Sequence, residues 1–261
     1  MEYNDFHIHT KYTKGNSTIE IKDLVARAKV FKMRTLTITD SGNIDGYKEF
    51  TKECLEAGII PFYGIGLYYA PLGLENSETN HLVLIAKNLD GLKNIVDLSK
   101  YERVDYGTLS RYSKGVIALS GGLGGVFDKP YFQGNEELGL QNIKILKELF
   151  GSNFYLEIQD NGLNENLIIM ERITNLAFEY KLEIIVTGGA FYLYPNDFEK
   201  CNNLRLSFGN KQLKGSGYYF KGPKEIEQIF NKHLNGIYTT EMVRKQIDPD
   251  LFKSLDVTTS N

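Results

Sequence analysis

The chain has 261 residues, of which 42% are hydrophobic and 24% are charged, a composition that argues against a disordered protein. Its net charge of −3 predicts no strongly basic face, so any contact with DNA is expected to come from partner domains. No apolar run approaches the roughly 20 residues of a membrane span, and the N-terminus lacks the pattern of a signal peptide. Cys54 and Cys201 are far apart and are expected to be reduced thiols. We therefore expect a cytoplasmic protein.

Short apolar segments alternate with amphipathic ones along residues 1–195. Helices are predicted at 20–32, 46–57 and Asn164–Tyr180, where apolar residues recur at helical spacing. Strands without a polar face, separated by helices, indicate a parallel sheet covered by helices. With no antiparallel block expected, a closed barrel is favoured over an open sheet. The predicted strands, in chain order, are DFHIHT, RTLTITD, IIPFYGIGLYYA, HLVLIA, KGVIALS, NFYLEIQ and LEIIVTG.

The pattern becomes helical near the C-terminus, and no low-complexity linker interrupts the chain. We therefore predict a single α/β domain over residues 1–261. The strands and helices of the barrel are predicted to occupy about 1–195, and a C-terminal helical segment about 196–261.

Candidate metal ligands lie at three predicted strand ends. His7 and His9 alternate along the first strand and therefore point in the same direction. Asp40 ends the second strand, and His81 begins the HLVLIA strand. Because the rim of an α/β barrel collects reactive side chains, two imidazoles on one strand could share a metal with a third from another strand. His-x-His also arises by core packing, so a structural role stays open.

Several segments carry a specific resemblance. The runs HIHTKYTKGNSTIEIKDLV, TLTITDSGNIDGYKEF and HLVLIAKNLDGLKNIVDLSK are similar to the PHP domain of bacterial DNA polymerase III alpha subunits. GVIALSGGLGG, FYLEIQDNG and YYFKGPKEIEQIF continue the similarity over nearly the whole chain. The resemblance implies a distorted TIM-like (β/α)7 barrel of the PHP type. In active members of this family, two or three zinc or manganese ions support phosphoester hydrolysis or 3′–5′ exonuclease activity.

The resemblance also implies which ligands remain. His7, His9 and His81 fall on ligand positions of the family and are retained, as a vestige of the metal site. Asp40 could supply one carboxylate as a weak catalytic candidate, but in this motif it is expected to orient the strand end. The other matched ligand positions have lost their ligands, and they hold Asn16, Ser41, Gly66, Gly122, Gly189 and Phe191.

The loss of carboxylates predicts a site that no longer hydrolyses phosphoesters, because a multinuclear cluster needs carboxylates to bridge its metals. No cofactor is expected, although one weakly held zinc or manganese stays open. The leading hypothesis is a structural PHP module that acts in DNA replication. It would pack against the palm and thumb domains of the polymerase and dock a proofreading exonuclease subunit. The DNA-directed DNA polymerase activity would belong to the full-length protein. The alternative is a free-standing metal-dependent phosphoesterase or 3′–5′ exonuclease with a reduced site.

Overall fold

The computed structural model describes residues 2–255 as a mixed α/β structure. The strands are β1 (Thr35–Ile38), β2 (Ile60–Tyr69), β3 (Asn80–Ala86), β4 (Val116–Leu119), β5 (Phe154–Ile158) and β6 (Glu183–Val186). The helices are α1 (Ile21–Val30), α2 (Tyr47–Ala57), α3 (Leu89–Leu98), α4 (Tyr106–Arg111), α5 (Asp128–Phe132), α6 (Glu136–Phe150), α7 (Asn164–Tyr180), α8 (Phe198–Ser207), α9 (Pro223–Ile229) and α10 (Leu234–Gln246). Helices α8, α9 and α10 lie in the C-terminal part of the described residues, where the sequence predicted helical character.

The six strands form one sheet in the order β1-β2-β3-β4-β5-β6. Three of its pairings are parallel, namely β1–β2, β4–β5 and β5–β6. The expectation that no antiparallel block exists was wrong, because β3 runs antiparallel to both β2 and β4. The reason lies in the connection between β2 and β3, which contains no helix. A parallel neighbour would need a crossover connection, usually through a helix, whereas a short turn-rich link lets the chain reverse directly.

The N-terminal segment spans the gap between the first and last strands of the curled sheet. The backbone N–H of Thr39 donates to the carbonyl of Ile8 at 2.8 Å, just beyond the end of β1. On the other side, the N–H of His9 donates to the carbonyl of Ala190 at 2.9 Å, and that of Ala190 donates to the carbonyl of His7 at 3.1 Å. The segment thus takes the place of a seventh strand, and the predicted distorted barrel is confirmed.

Apolar side chains explain why helices cover this sheet. Every residue of β1, β4 and β5 is buried, as expected for strands that are covered on both faces. Helix α2 ends at Gly58, whose φ of +74° suits the left-handed C-cap. Gly236 of α10 lies so close to β6 that a Cβ there would be 3.0 Å from the side chain of Val186. The C-terminal helix therefore packs directly against the last strand.

Among the helices of residues 2–255, none combines the length and the hydropathy that crossing a bilayer would demand.

Candidate functional site

Three histidines converge at one rim of the barrel. His7 and His9 point into the rim together, while Ile8 between them is fully buried in the core. His81 reaches the same rim because β3 is antiparallel, which places its first residues beside the carboxyl-terminal half of β2. The Nε2 atom of His7 lies 3.0 Å from Nε2 of His9 and 3.2 Å from Nε2 of His81. The structure therefore brings together the three histidines that were predicted as metal ligands.

The spacing of these nitrogens fits one divalent cation. Two nitrogens bound to zinc at about 2.05 Å with tetrahedral geometry are about 3.3 Å apart. The observed separations of 3.0 and 3.2 Å are slightly shorter. The same distances also allow one imidazole to donate a hydrogen bond to another, because a neutral ring carries one donor and one acceptor. The cluster thus fits either a single zinc or manganese ion or a hydrogen-bonded structural group.

A buried carboxylate supports the first histidine from behind. Nδ1 of His7 donates to Oε1 of Glu157 at 2.7 Å, and Glu157 is fully buried on β5. Burial acts to raise the pKa of Glu157, but the charge and hydrogen bond of His7 outweigh it and lower that pKa. Burial likewise acts to lower the pKa of His7, but the charge and hydrogen bond of Glu157 outweigh burial, so the pKa of His7 is raised overall. With its Nδ1 proton committed to Glu157, His7 turns Nε2 toward the other rings, as metal-binding histidines commonly do.

The sequence analysis missed Glu157, because it looked for anionic groups only at the positions that match the family's metal ligands. The signal that could have found it is a charged residue inside the otherwise apolar strand FYLEI. A carboxylate at a fully buried strand position needs partners, because an unpaired buried charge is strongly unfavourable. Its other oxygen, Oε2, accepts a hydrogen bond from the backbone N–H of Gly121 at 3.0 Å.

His9 lies in a more apolar environment. Its ring stacks on Phe191 with centroids 4.3 Å apart and planes inclined by 12°. Its Nδ1 lies 3.3 Å from the hydroxyl of Thr13 and 3.5 Å from that of Ser41. Burial, with the nearby charges of His7, His81 and Arg205, places the pKa of His9 well below its ordinary value. Phe191 therefore covers one face of His9, beside the converging nitrogens.

Asp40 lies at the end of β1, as predicted, and its oxygens are directed toward the loop that follows His9. Oδ1 accepts from the backbone N–H of Thr10 at 2.6 Å and from the hydroxyl of Thr13 at 2.7 Å. Oδ2 accepts from the hydroxyl of Thr10 at 2.7 Å. Asp40 does not line the cavity above the histidines. These contacts favour the expected orienting role, and a catalytic role for Asp40 stays a prediction.

Gln159 fills the space beside two of the glycines that stand at matched ligand positions. A Cβ on Gly122 would lie 2.6 Å from its Oε1, and a Cβ on Gly189 would lie 2.7 Å from its Nε2. The amide nitrogen donates to Oε1 of Glu157 at 2.9 Å and to the hydroxyl of Thr187 at 3.0 Å. Both glycines have a φ of +61°, which favours glycine over other residues. A third matched position, at residue 66, is occupied in a similar way.

At that position, the ring of His81 takes the space of the missing side chain. A Cβ on Gly66 would lie 2.6 Å from Cε1 of His81 and 3.1 Å from its Nε2. The absence of a side chain at Gly66 is therefore what allows His81 to approach the other two histidines closely.

A cavity of about 340 Å³ opens above the histidines. Its wall contains the three imidazoles, Arg205, and the neutral polar side chains of Asn16, Ser41 and Gln159 among others. Within residues 2–255, no aspartate or glutamate lines it. Glu157 and Asp40 both lie behind the wall with their oxygens already bonded. The cavity thus offers nitrogen ligands for one cation but no carboxylate to bridge two.

Comparisons with known proteins agree with this fold. The alpha subunit of DNA polymerase III from Borreliella burgdorferi is 27% identical over 93% of this chain and 23% of its own length. The corresponding subunit from Aquifex aeolicus is 28% identical over 95% of this chain and 24% of its own length. The chain therefore spans about a quarter of the length of these relatives. The resemblance to polymerase III alpha subunits that the sequence predicted is confirmed.

A solved structure and a family model complete the comparison. A two-domain protein from Bacteroides vulgatus, described as containing a predicted PHP-like metal-dependent phosphoesterase, superposes with a TM-score of 0.50 at 12% identity. The match covers 86% of this chain and 61% of that protein, and at this identity it supports the fold alone. The family model for the PHP domain matches residues 5–161, which is more than half of the chain and includes all three histidines and Glu157. The chain belongs to the PHP domain family.

Proposed function

We propose that this chain is a non-catalytic PHP module of a replicative DNA polymerase assembly, with a degenerate metal site. The observation that carries the proposal is the wall of the cavity, which within residues 2–255 holds three imidazoles and no carboxylate. Hydrolysis of phosphoesters by two or more metals requires anionic ligands that hold the ions together and offset their charge. The neutral side chain of Gln159 fills the space at Gly122 and Gly189, where such ligands would be needed.

The role we propose is structural. The relatives are alpha subunits of DNA polymerase III, and each is about four times as long as the aligned region. We propose that residues 1–261 form one domain, which packs against the palm and thumb domains of a polymerase and docks a proofreading exonuclease subunit. Contact with DNA would come through that assembly. The net charge of −3 supports this view, because a free nucleic-acid-binding domain usually presents a basic face.

The spacing of the histidine nitrogens supports a second candidate, a mononuclear metal-dependent phosphoesterase or 3′–5′ exonuclease. His7, His9 and His81 would hold one zinc or manganese ion, and Glu157 would orient His7. When bound, such an ion would polarise a phosphate oxygen or activate water. In this candidate, the chain's own contribution is to fix the three nitrogens and to cover His9 with Phe191.

Metal content and nuclease activity distinguish the two candidates. Untagged protein and the His7→Ala/His9→Ala variant would be analysed for zinc and manganese, and both would be incubated with a 3′-labelled oligonucleotide. The structural proposal predicts equal, substoichiometric metal in the two proteins and no metal-dependent cleavage by either. Stoichiometric metal in the unsubstituted protein, together with cleavage that the double substitution abolishes, would refute the structural proposal.

A further inference from the structure

A second cavity, of about 700 Å³, lies at the end of the barrel opposite the histidines. Thr35, the first residue of β1, lines this cavity, whereas Asp40 lies beyond the other end of that strand. The rest of its wall comes from the start of the chain, the end of α1, the beginning of α9 and Arg244 of α10. Among residues 2–255, none lines both cavities, so this one is a separate site.

One carboxylate in the wall of this cavity bridges two guanidinium groups. Oε1 of Glu2 lies 3.0 Å from Nη1 of Arg34, and Oε2 of Glu2 lies 2.5 Å from Nη2 of Arg244. Glu2 belongs to a stretch that is neither helix nor strand, and its side chain is 38% exposed. Planar guanidinium groups match the geometry of a carboxylate. Arg34 and Arg244, which we call the arginine pair, therefore form a carboxylate site, and Glu2 occupies it.

Two buried polar groups in the same wall lack hydrogen-bond partners. The side chain of Tyr3 is 97% buried, and within residues 2–255 its hydroxyl bonds to no other group. The Nε atom of Arg244 is also buried without a partner in this part of the chain. Nearly all buried polar groups in folded proteins are hydrogen-bonded. A ligand that moves Glu2 aside would reach these two groups and supply the missing bonds.

The wall combines a surplus of positive charge with exposed apolar surface. The guanidinium carbon of Arg27 lies 4.7 Å from the centre of the Phe31 ring and 4.4 Å from that of Tyr194, which fixes its position. Beside it, the side chain of Val30 is 76% exposed. The charged residues that line the cavity are five cations and three anions, namely Arg27, Lys32, Arg34, Lys224 and Arg244 against Glu2, Glu225 and Glu227.

From these contacts we infer that this cavity docks an acidic peptide segment of a partner protein, whose carboxylate displaces Glu2 from the arginine pair. A peptide is favoured because the group that occupies the pair is itself a side chain on a polypeptide. The cavity is larger than one carboxylate side chain, and Val30 and Phe31 offer contacts to an apolar neighbour in the peptide. Exposed ion pairs contribute little stability, so Glu2 leaves the pair at small cost. The inference goes beyond the proposed function, because such docking does not depend on whether the histidines hold a metal.

The test uses the full chain and a labelled peptide of alternating glutamate and leucine, with blocked ends. Its neutral counterpart has glutamine in place of glutamate, and binding of both would be followed by fluorescence anisotropy and by amide chemical shifts around Lys32 and Thr35. We expect saturable binding of one acidic peptide per chain, and about tenfold weaker binding of the neutral peptide, because it loses charge-assisted hydrogen bonds. Free glutarate should bind much more weakly than the acidic peptide.

Substitution of Glu2 gives the sharpest readout, because the inference predicts stronger rather than weaker binding. Glu2→Gln should raise the affinity for the acidic peptide about fivefold, since it removes the group that competes for the arginine pair. Glu227→Gln is the matched control, because it removes the same charge from the same wall but not from the pair. It should change the affinity by less than about twofold.

Substitution of an arginine connects the binding to the pair from the other side. Arg34→Gln should weaken binding of the acidic peptide about fivefold, since it removes a charged donor. Arg111→Gln, which removes an exposed arginine on α4, should leave binding unchanged. Arg34 is itself 77% exposed, so its replacement should leave the fold intact.

Several results would overturn the inference. They are the absence of saturable binding, equal binding of the acidic and neutral peptides, or equal effects of Glu2→Gln and Glu227→Gln. Glutarate that binds as tightly as the peptide would assign the cavity to a small dicarboxylate instead. Dimerisation of the chain that the peptide reverses would assign it to a second copy. None of these results bears on the histidines, so the proposed function would stand or fall separately.

Discussion

Replacing Glu157 with glutamine would remove a negative charge from the interior of the barrel while keeping the size of the side chain. All groups that bond to Glu157 are donors. Oε1 accepts from His7, Gln159 and Thr187, and Oε2 accepts from the backbone of Gly121. The NH2 group of a glutamine would therefore face a donor in either orientation. Breaking a buried pair by neutralising one partner costs roughly 3–5 kcal/mol, and we expect a loss of stability in that range.

Unfolding in urea would measure the loss, with Glu171→Gln as the matched control. Glu171 lies exposed on α7, where such a change should alter the free energy of unfolding by less than about 0.5 kcal/mol. Combining Glu157→Gln with His7→Gln would complete a double-mutant cycle, which should give a coupling of about 1–3 kcal/mol. If Glu157→Gln were as mild as the control, the charge of Glu157 would not be what holds His7 in place.

Other changes probe the fold around the site. Gly189→Asp should lower the melting temperature, because the φ of +61° and the nearby amide of Gln159 both oppose a side chain at this position. The strained backbone alone should cost about 1–3 kcal/mol of stability. Adding Gln159→Ala should recover part of the loss, and strict additivity of the two substitutions would contradict the contact between residues 159 and 189. Gly91→Ala should destabilise the chain by about 1–3 kcal/mol in urea unfolding, since a Cβ on α3 at this position would lie 1.8 Å from the carbonyl oxygen of Gly115; a loss well below about 1 kcal/mol would contradict that packing. Burial lowers the pKa of Lys221 to about 8 from 10.5, so the folded state binds fewer protons between these values. The unfolding free energy of the unsubstituted chain should therefore rise relative to Lys221→Met, by up to about 3 kcal/mol, from pH 8 to 10.5; a flat difference would contradict it.

Much of the fold followed from local patterns. The alternation of apolar strands and helices located all six strands and the closing segment at His7 and His9, and the apolar spacing placed α7 at its observed bounds. Strand direction was harder to predict, because it depends on the connection rather than on the strand. HLVLIA is apolar enough for a parallel strand, yet the helix-free link before it makes β3 antiparallel. This reversal carries His81 to the rim.

The residues that complete the site were harder to predict. Glu157 lies 150 positions from His7 in the sequence, and Arg205 comes from a helix that follows the barrel strands. Neither forms a short motif with the histidines. Only the closure of the barrel brings them together, so spacing along the chain gives no indication of the contact. A resemblance to active relatives shows which ligand positions have lost their ligands. It does not show that Gln159 fills the space at two of those positions, because that contact exists only in the folded chain.

That space bears on whether the metal site could be restored one ligand at a time. Gly122 and Gly189 both place the position of a Cβ within 2.6–2.7 Å of Gln159. A ligand returned at either position would have to displace this amide, which is hydrogen-bonded to the Glu157 that supports His7. Returning a carboxylate at Gly66 would instead collide with the ring of His81. Each replacement therefore disturbs a side chain at the histidine cluster, which is Gln159 for Gly122 and Gly189 and His81 for Gly66. These contacts support the proposed structural role of the module more strongly than the loss of metal ligands alone would.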